Sequence, residues 1–354
     1  MYSCGSDGLL LKYAMDRAQP VVSTPNSPDG TATSNADEAV PAADGGILKL
    51  SIHPENQRIV LTASQDGCVK LFDFRSPTYE RGSLPKSNKY DEQNHVEFNP
   101  CHPTLFVTAD LSDEVKLYDL RMFGPDTCKP VLSMQTPQKD VSAAVFSPNG
   151  RYLLSQMHGH VPVMFDIFDT RYSDRSKDNA PLAPLCHLAA PSTESTFYHS
   201  QITVKTPSFQ YVGNSLTVCC GSEDFNVYGW RNLDAKLDSL SKNSSLEMTP
   251  AIENDFILPG ARSIINNVLI HPHQPLIYTS GVESVIRCYS PFSMSANVYA
   301  PPNLITRKRI PYLELLQHFE TLPSELDDTD GKAIAFFDFL LGIMYSPWLQ
   351  KCIA

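Results

Sequence analysis

Hydrophobic and polar residues alternate in short runs along the chain, and the runs come in pairs joined by tight turns. In the clearest pair, residues 59–64 and 69–75 flank the turn Gln65-Asp66-Gly67. Alternation with a period of two predicts β-strands, and an Asp-Gly step between such runs predicts a hairpin, because these residues tolerate positive φ. An apolar residue, one further residue and a proline precede the pair as Ile52-His53-Pro54. The segment therefore predicts a small antiparallel sheet.

The same arrangement recurs along the chain. The second copy is residues 96–121, the third starts at Val145, and looser copies cover residues 216–233 and 268–291. The apolar heads of the first three copies lie 46 and 48 residues apart. A repeat of this length with short, evenly spaced strands is typical of the blade of a β-propeller, in which the blades surround a central channel. The predicted fold is therefore an all-β propeller of the seven-bladed kind.

The aspartates at the inter-strand turns have an expected structural role. Asp7, Asp66 and Asp224 occupy such turns, where an aspartate commonly hydrogen-bonds the local backbone. In the second copy, Ser112 stands where Asp66 stands in the first, and Asp113 stands where Gly67 stands. We therefore expect the second hairpin to close differently.

The chain opens on the tail of a repeat. Residues 3–13 match a turn and a third strand with no first strand before them, so the propeller is expected to be incomplete at its N-terminus. Three segments near residues 17–44, 172–195 and 236–255 are rich in Ser, Pro, Asp and Asn, which predicts mobile insertions. On this basis the propeller occupies residues 1–292.

Residues 293–354 form a C-terminal extension with a different pattern. Apolar residues recur at helical spacing over 312–319, and residues 333–344 are apolar nearly all round, so two short helices are predicted. An open propeller leaves unpaired strand edges, which favour aggregation. The alternative is that the C-terminal helices cover the gap.

Composition narrows the functional class. The 354 residues are 42% hydrophobic, which is enough for a sizeable core, and no run of 18 apolar residues is available to span a membrane. There is no secretory signal, and nine scattered cysteines do not suggest a disulfide framework, so a nuclear and/or cytoplasmic location is expected. A net charge of −11 argues against nucleic acid as a partner.

The sequence contains no recognisable catalytic, cofactor-binding or metal-binding motif. The hydrolase, phosphate-loop and dinucleotide signatures are absent, and His158-Gly159-His160, His271-Pro272-His273 and Cys101-His102 lack the spacing of metal ligands. Cys219 and Cys220 are adjacent in a predicted strand, so their side chains should point to opposite faces. We therefore expect a protein that is not an enzyme and uses no cofactor.

The most informative feature is an Asp-x-Arg step that closes two consecutive repeats. It occurs as Asp73-x-Arg75 and as Asp119-x-Arg121. The guanidinium group of arginine is planar, presents several hydrogen-bond donors in a fixed geometry and is frequent at protein interfaces. The repeated arginine therefore favours a binding surface. The alternative is a solvated ion pair of little energetic value, and the spacing alone leaves both interpretations open.

A resemblance to a known family bears on this choice. Residues 60–75 resemble the sixteen-residue box of WD-repeat substrate receptors of cullin-4 RING ubiquitin ligases, the cullin-4-associated factor family, with Phe72 replacing the usual Trp or Tyr. Residues 106–121 are similar to the box but lack the turn aspartate. Residues 221–231 and 267–291 resemble the penultimate and last blades of that family. The resemblance covers about residues 1–292, apart from the insertions.

The resemblance implies a WD40-type β-propeller that brings protein substrates to a cullin-4 ligase. It also implies that Asp73, Arg75, Asp119 and Arg121 bind the adaptor, damage-specific DNA-binding protein 1. Two blades depart from the motif, with Ala14 and Asp16 in one, and with Arg231 and Leu233 in the other. The alternative function is a WD-repeat scaffold of another complex unrelated to ubiquitin.

Overall fold

Six β-sheets follow one another along the part of the chain that the structure describes. This computed structural model describes residues 1–13, 38–76, 79–84, 92–123, 129–168, 181–190, 198–242, 249–283 and 285–291. The predicted C-terminal helices and the positions Ala14 and Asp16 lie outside these residues. No helix among the described residues is long and apolar enough to cross a membrane.

Each sheet takes its strands from the inside of the fold outward, almost always in chain order. Sheet 1 holds β1 (Tyr2–Cys4), β2 (Leu9–Lys12) and β3 (Glu38–Pro41); sheet 2 holds β4 (Ile47–Ile52), β5 (Ile59–Ser64), β6 (Val69–Asp73) and β7 (Glu80–Ser83); and sheet 3 holds β8 (Gln93–Phe98), β9 (Leu105–Asp110), β10 (Glu114–Asp119) and β11 (Leu132–Gln135). These strands pair antiparallel, as four-stranded blades require.

The second half of the described chain continues this order. Sheet 4 holds β12 (Val141–Phe146), β13 (Tyr152–Met157), β14 (Val163–Asp166), β15 (Cys186–Ala189) and β19 (Ala251–Glu253); sheet 5 holds β16 (Ser208–Val212), β17 (Ser215–Gly221), β18 (Val227–Trp230) and β20 (Phe256–Leu258); and sheet 6 holds β21 (Ile265–Ile270), β22 (Ile277–Gly281) and β23 (Arg287–Tyr289). Strand β19 adds to the outer edge of β15 in parallel before the chain enters β20. Helix α1 (Leu233–Lys242) precedes it.

The described parts of the three predicted insertions are more ordered than the sequence suggested. They contain β3, β15, most of α1 and β19. Val40, Leu188, Leu237 and Ile252 are buried there, so these segments do contribute to the core. These parts of the predicted insertions therefore pack into the fold, because a few apolar side chains suffice to anchor an outer strand or a short helix.

Neighbouring sheets stack face to face, and their apolar side chains form the core between them. Between sheets 3 and 4, for example, Val107 and Leu117 pack in one cluster with Leu153 and Phe165. Burying a side chain of this size contributes about 1.5–3 kcal/mol relative to leaving it exposed. Each sheet therefore depends on the next for its stability.

A repeated hydrogen bond also joins the innermost strands. The hydroxyl of Ser51 accepts from the backbone N–H of Phe98 at 3.0 Å, and the hydroxyl of Ser208 accepts from the N–H of Ile270 at 2.9 Å. In β8, at the position that matches Ser51, the carboxyl group of Glu97 accepts from the N–H of Phe146. We call these three bonds the inner-strand links. They connect sheet 2 to sheet 3, sheet 3 to sheet 4, and sheet 5 to sheet 6.

The turn aspartates have the structural role that the sequence predicts. Asp66 accepts from the backbone N–H of Cys68 at 2.9 Å, and Asp7 accepts from that of Leu9 at 3.0 Å. Gly67 has a φ of 78°, which a residue with a side chain rarely adopts. Asp224 likewise accepts from the N–H of Asn226 at 3.1 Å.

The second hairpin closes differently, as expected. In sheet 2 the Ser64 hydroxyl donates to the Asp66 carboxylate. In sheet 3 the two residue types are exchanged, because Ser112 donates to Asp110, which occupies the position of Ser64. The same side-chain bond therefore closes both turns with donor and acceptor in reversed order.

Candidate protein-binding rim

Three aspartates end the third strands of consecutive sheets and so lie along one face of the fold. Asp73, Asp119 and Asp166 are the last residues of β6, β10 and β14, and all three are buried. A buried carboxylate requires compensating donors. The side chains that supply them define a surface, which we call the arginine rim and which comprises Arg75, Arg121 and Arg151.

Arg75 folds back onto the aspartate two residues before it. Its Nε donates to Asp73 Oδ1 at 2.9 Å, its Nη2 donates to Oδ2 at 2.8 Å, and its backbone N–H donates to Oδ1 at 3.0 Å. Arg81, from β7, adds a donor to Oδ2 at 3.3 Å. The carboxylate is thus fully engaged, whereas the Arg75 side chain remains 50% exposed.

Arg121 repeats this geometry on the next sheet. Its Nε lies 3.0 Å from Asp119 Oδ1, and its Nη2 lies 2.5 Å from Oδ2. The backbone N–H of Arg121 also donates to the same carboxylate and starts a short 3-10 turn, Leu120–Met122. The Arg121 side chain is 74% exposed.

The electrostatics of the two pairs follow from this geometry. The guanidinium hydrogen bonds of Arg75 hold the pKa of Asp73 well below its usual range, and they outweigh burial, which acts in the opposite direction. Arg121 lowers the pKa of Asp119 for the same reason. Both arginines use the Nε–Nη2 edge of the guanidinium, so the Nη1 group points away from the carboxylate. Each arginine therefore presents a partner with a guanidinium group whose position is fixed and whose Nη1 donor points outward.

The third sheet of the rim contains an arginine that the sequence analysis did not identify. Asp166 ends its strand like the other two aspartates, but Phe168 stands where the arginine would follow. Arg151, which immediately precedes β13, approaches instead, and its Nε and Nη2 lie 3.1 and 2.8 Å from Asp166 Oδ2. The only sequence signal was an aspartate at a strand end without its expected arginine.

Exposed apolar side chains accompany the arginines. Met122 follows Arg121 and is 50% exposed, and Phe168 is 46% exposed. The Phe168 and His102 rings pack in a T-shaped arrangement, with centroids 5.0 Å apart. Arginine, methionine and aromatic residues are the types enriched at protein interfaces. The rim therefore has the composition of a protein-binding surface.

The rim ends at the fourth consecutive sheet, as the departure from the motif predicts. Arg231 and Leu233 occupy the motif positions there, and Leu233 is buried at the start of α1. Asp234, in the first turn of that helix, accepts from the backbone N–H of Leu216 at 3.1 Å. Helix α1 thus occupies the place where a further arginine would stand.

Among the cysteine and histidine residues that the sequence offered as possible metal ligands, Cys219, Cys220 and His271 pack in the core or hydrogen-bond the backbone. Cys219 and Cys220 are buried in different core clusters, which confirms that they point to opposite faces. The Nδ1 atom of His271 accepts from the backbone N–H of His273 at 3.1 Å. Within the described ranges, no group of three or more His, Cys, Asp or Glu side chains is arranged to hold a metal ion.

Comparison with known families and structures identifies the class of protein. The WD domain, G-beta repeat family matches residues 40–73, which end at the first rim aspartate. The β-propeller domain of Cps50 (Swd1) from Myceliophteria thermophila superposes with a TM-score of 0.57 at 14% identity, covering 82% of this chain and 79% of that one. A chain of the mitotic checkpoint complex gives a TM-score of 0.53 at 12% identity, covering 81% and 69%. The chain therefore has a WD40-type β-propeller fold and contains a WD repeat at residues 40–73.

Among curated proteins, the chain is similar to DDB1- and CUL4-associated factor 5. The human and mouse proteins are each 28% identical over 259 residues, which cover 71% of this chain and 24% of theirs. Human telomerase Cajal body protein 1 is 28% identical over 147 residues, covering 41% of this chain and 24% of its own length. The chain spans about a quarter of the length of these relatives. The predicted resemblance to cullin-4-associated factors is confirmed as a similarity to this factor.

Proposed function

We propose that this protein is a substrate receptor of a cullin-4 ubiquitin ligase and that the arginine rim binds the adaptor, damage-specific DNA-binding protein 1. The observation that carries the proposal is the pair of matched Asp-x-Arg forks on consecutive blades, Asp73 with Arg75 and Asp119 with Arg121. The similarity to DDB1- and CUL4-associated factor 5 supports it. Ubiquitin transfer takes place on other subunits, in the nucleus and/or the cytoplasm.

The physical basis of adaptor binding is preorganisation. Each aspartate fixes its arginine before the partner arrives, so less side-chain entropy is lost on binding than for a freely rotating arginine. The carboxylates are buried and the guanidinium groups are exposed, so the surface offered to the adaptor is positive. Acidic side chains or backbone carbonyl groups of the adaptor would accept the outward donors.

The proposal is tested by binding purified adaptor to the 354-residue chain and to the double variant Arg75→Ala/Arg121→Ala. Arginine is enriched among the interface residues whose truncation costs more than about 1 kcal/mol, so we expect the loss of two arginines to weaken binding at least roughly tenfold. Arg287→Ala is the matched control, because Arg287 also pairs with a carboxylate, that of Glu283, but at the opposite end of a third strand.

Unchanged adaptor affinity in a double variant that remains folded at the temperature of the binding assay would contradict this proposal. Recovery from cells of another multiprotein assembly without the adaptor would instead support the alternative of a WD-repeat scaffold unrelated to ubiquitin. Thermal unfolding of each variant separates loss of binding from loss of fold. Both arginine side chains are exposed, but their removal leaves Asp73 with the Arg81 side chain and one backbone donor, and Asp119 with one backbone donor. We therefore expect a lower melting temperature with cooperative unfolding retained, because each buried carboxylate loses its main counter-charge.

A further inference from the structure

The third blade of the rim has a contact surface of its own, built from Arg151, Phe168 and His102. Arg151 is held in place from more than one side. Its Cζ lies 5.0 Å from the centre of the Tyr152 ring, and its Nη1 lies 3.8 Å from Asp238 Oδ1 on α1, in addition to the two bonds to Asp166. Its side chain is nevertheless 43% exposed. The cation is therefore preorganised and still accessible.

The aromatic side chains beside it are also accessible. Phe168 replaces the arginine of the motif and contacts His102, which comes from the preceding sheet. The two rings bridge the boundary between the second and third blades of the rim. An exposed phenylalanine supported by a second ring provides a rigid apolar contact, which a protein partner can cover at little entropic cost.

Charge complementarity defines the partner surface. The chain as a whole carries −11, yet in all three pairs of the rim the carboxylate is buried and the guanidinium is exposed. A partner surface that binds two of these exposed cations along one face therefore also encounters the third, Arg151, as an exposed positive charge. The surface that fits here presents an acidic or carbonyl group to Arg151 and an apolar side chain to Phe168.

We propose that Arg151, Phe168 and His102 form a third contact with the adaptor, continuous with Arg75 and Arg121. This inference rests on the proposed function and extends it to a blade that lacks the Asp-x-Arg motif. In this blade, Arg151 takes the adaptor-binding role that the arginine of the Asp-x-Arg motif has in the other two blades. The consequence is that motif counting underestimates the size of the interface.

Two variants test this contact in the full chain. Phe168→Ala removes an exposed ring, and Arg151→Ala/Asp166→Asn removes the cation together with the buried charge that it neutralises, so that no unpaired carboxylate is left in the fold. We expect each to weaken binding of purified adaptor about tenfold, as for an interface hot spot. Arg287→Ala should bind like the wild type.

The outcomes separate the two proposals. If Arg75→Ala/Arg121→Ala weakens binding while Phe168→Ala and Arg151→Ala/Asp166→Asn bind like the wild type, the third contact is wrong and the proposed function stands. If none of these variants changes the affinity, the rim is not the adaptor site and both proposals fail. Weakening by all of them supports both. Because Phe168 is exposed, its variant remains informative even if the Arg151 variant unfolds.

Discussion

At the scale of single residues, the chain uses buried charge in two different ways. On the rim, buried aspartates position exposed arginines. Near sheet 5, by contrast, both members of an ion pair are buried, namely Glu223 and Lys205. Glu223 accepts from the backbone N–H groups of Ile202 and Thr203 at 2.6 and 3.1 Å, from His199 at 2.6 Å and from Lys205 at 3.3 Å. This carboxylate therefore fixes the connection that leads into β16.

Glu223→Gln should destabilise the fold. Burial raises the pKa of Glu223, but the His199 hydrogen bond and the Lys205 charge overcome it and lower the pKa to about 2, so the group is ionised in the native state. Removing one member of a buried charged pair leaves the other uncompensated, so we expect a loss of about 2–4 kcal/mol in denaturant unfolding. Glu253→Gln, at an exposed carboxyl group, is the control and should change stability by less than about 0.5 kcal/mol. Equal stability of the two variants would contradict the structural role of Glu223.

The pKa of Glu97 is raised, in contrast to that of Glu223, and we therefore expect its contribution to stability to depend on pH. Burial raises its pKa to about 8, while the neighbouring charge of Lys49 acts to lower it. Between the unfolded value of about 4.3 and the folded value, the unfolded chain has released the proton and the folded chain retains it, so this group makes stability fall as pH rises. Glu97→Gln cancels this contribution. We expect the variant to gain roughly 1 kcal/mol or more over the wild type between pH 5 and pH 8, measured by urea unfolding at each pH. A stability difference that does not change with pH would contradict this assignment.

At the scale of elements, the two hairpins show that a serine–aspartate hydrogen bond closes each turn and that the order of the two residues along the chain can be reversed. Ser64 with Asp66 and Asp110 with Ser112 make the same hydrogen bond in reversed order. The exchange Ser64→Asp/Asp66→Ser should therefore keep stability within about 0.5 kcal/mol of the wild type. Asp66→Ala should cost about 1 kcal/mol, since it removes the acceptor of that bond and of the Cys68 N–H. If the exchange costs as much as the alanine variant, the bond is not what closes the turn.

The second and third strands of the clear repeats, such as β5 and β6, were predictable from sequence because each pair carries its own alternation around a turn. Outer strands such as β3, β15 and β19 lie in segments predicted as insertions, and other elements depended on distant partners. Helix α1 lies in a segment whose Ser and Asp content suggested a loop, although Leu233, Leu237 and Leu240 stand at helical spacing. Arg151 reaches Asp166 only because Tyr152 pairs with that aspartate across β13 and β14. Local composition could not predict such an approach, because it depends on strand register.

At the scale of the whole molecule, the repeat spacing predicted the propeller, and the links between blades come from positions that look unremarkable in sequence. The donors Phe98, Phe146 and Ile270 each end an innermost strand, whereas the acceptors Ser51, Glu97 and Ser208 differ in residue type and in strand position, so no motif exposes them. The same repetition brings Asp73, Asp119 and Asp166 to one face. The rim is therefore a property of the assembled blades and not of any single repeat.

The measurement that tests the central claim most directly is affinity purification of the tagged chain from cells, followed by mass spectrometry, with the wild type and Arg75→Ala/Arg121→Ala compared at equal expression. Our account predicts that the wild type recovers damage-specific DNA-binding protein 1 together with cullin-4. It predicts that the double variant loses both while Arg287→Ala retains them. Recovery of neither protein by the wild type, or of both by the double variant, would contradict it.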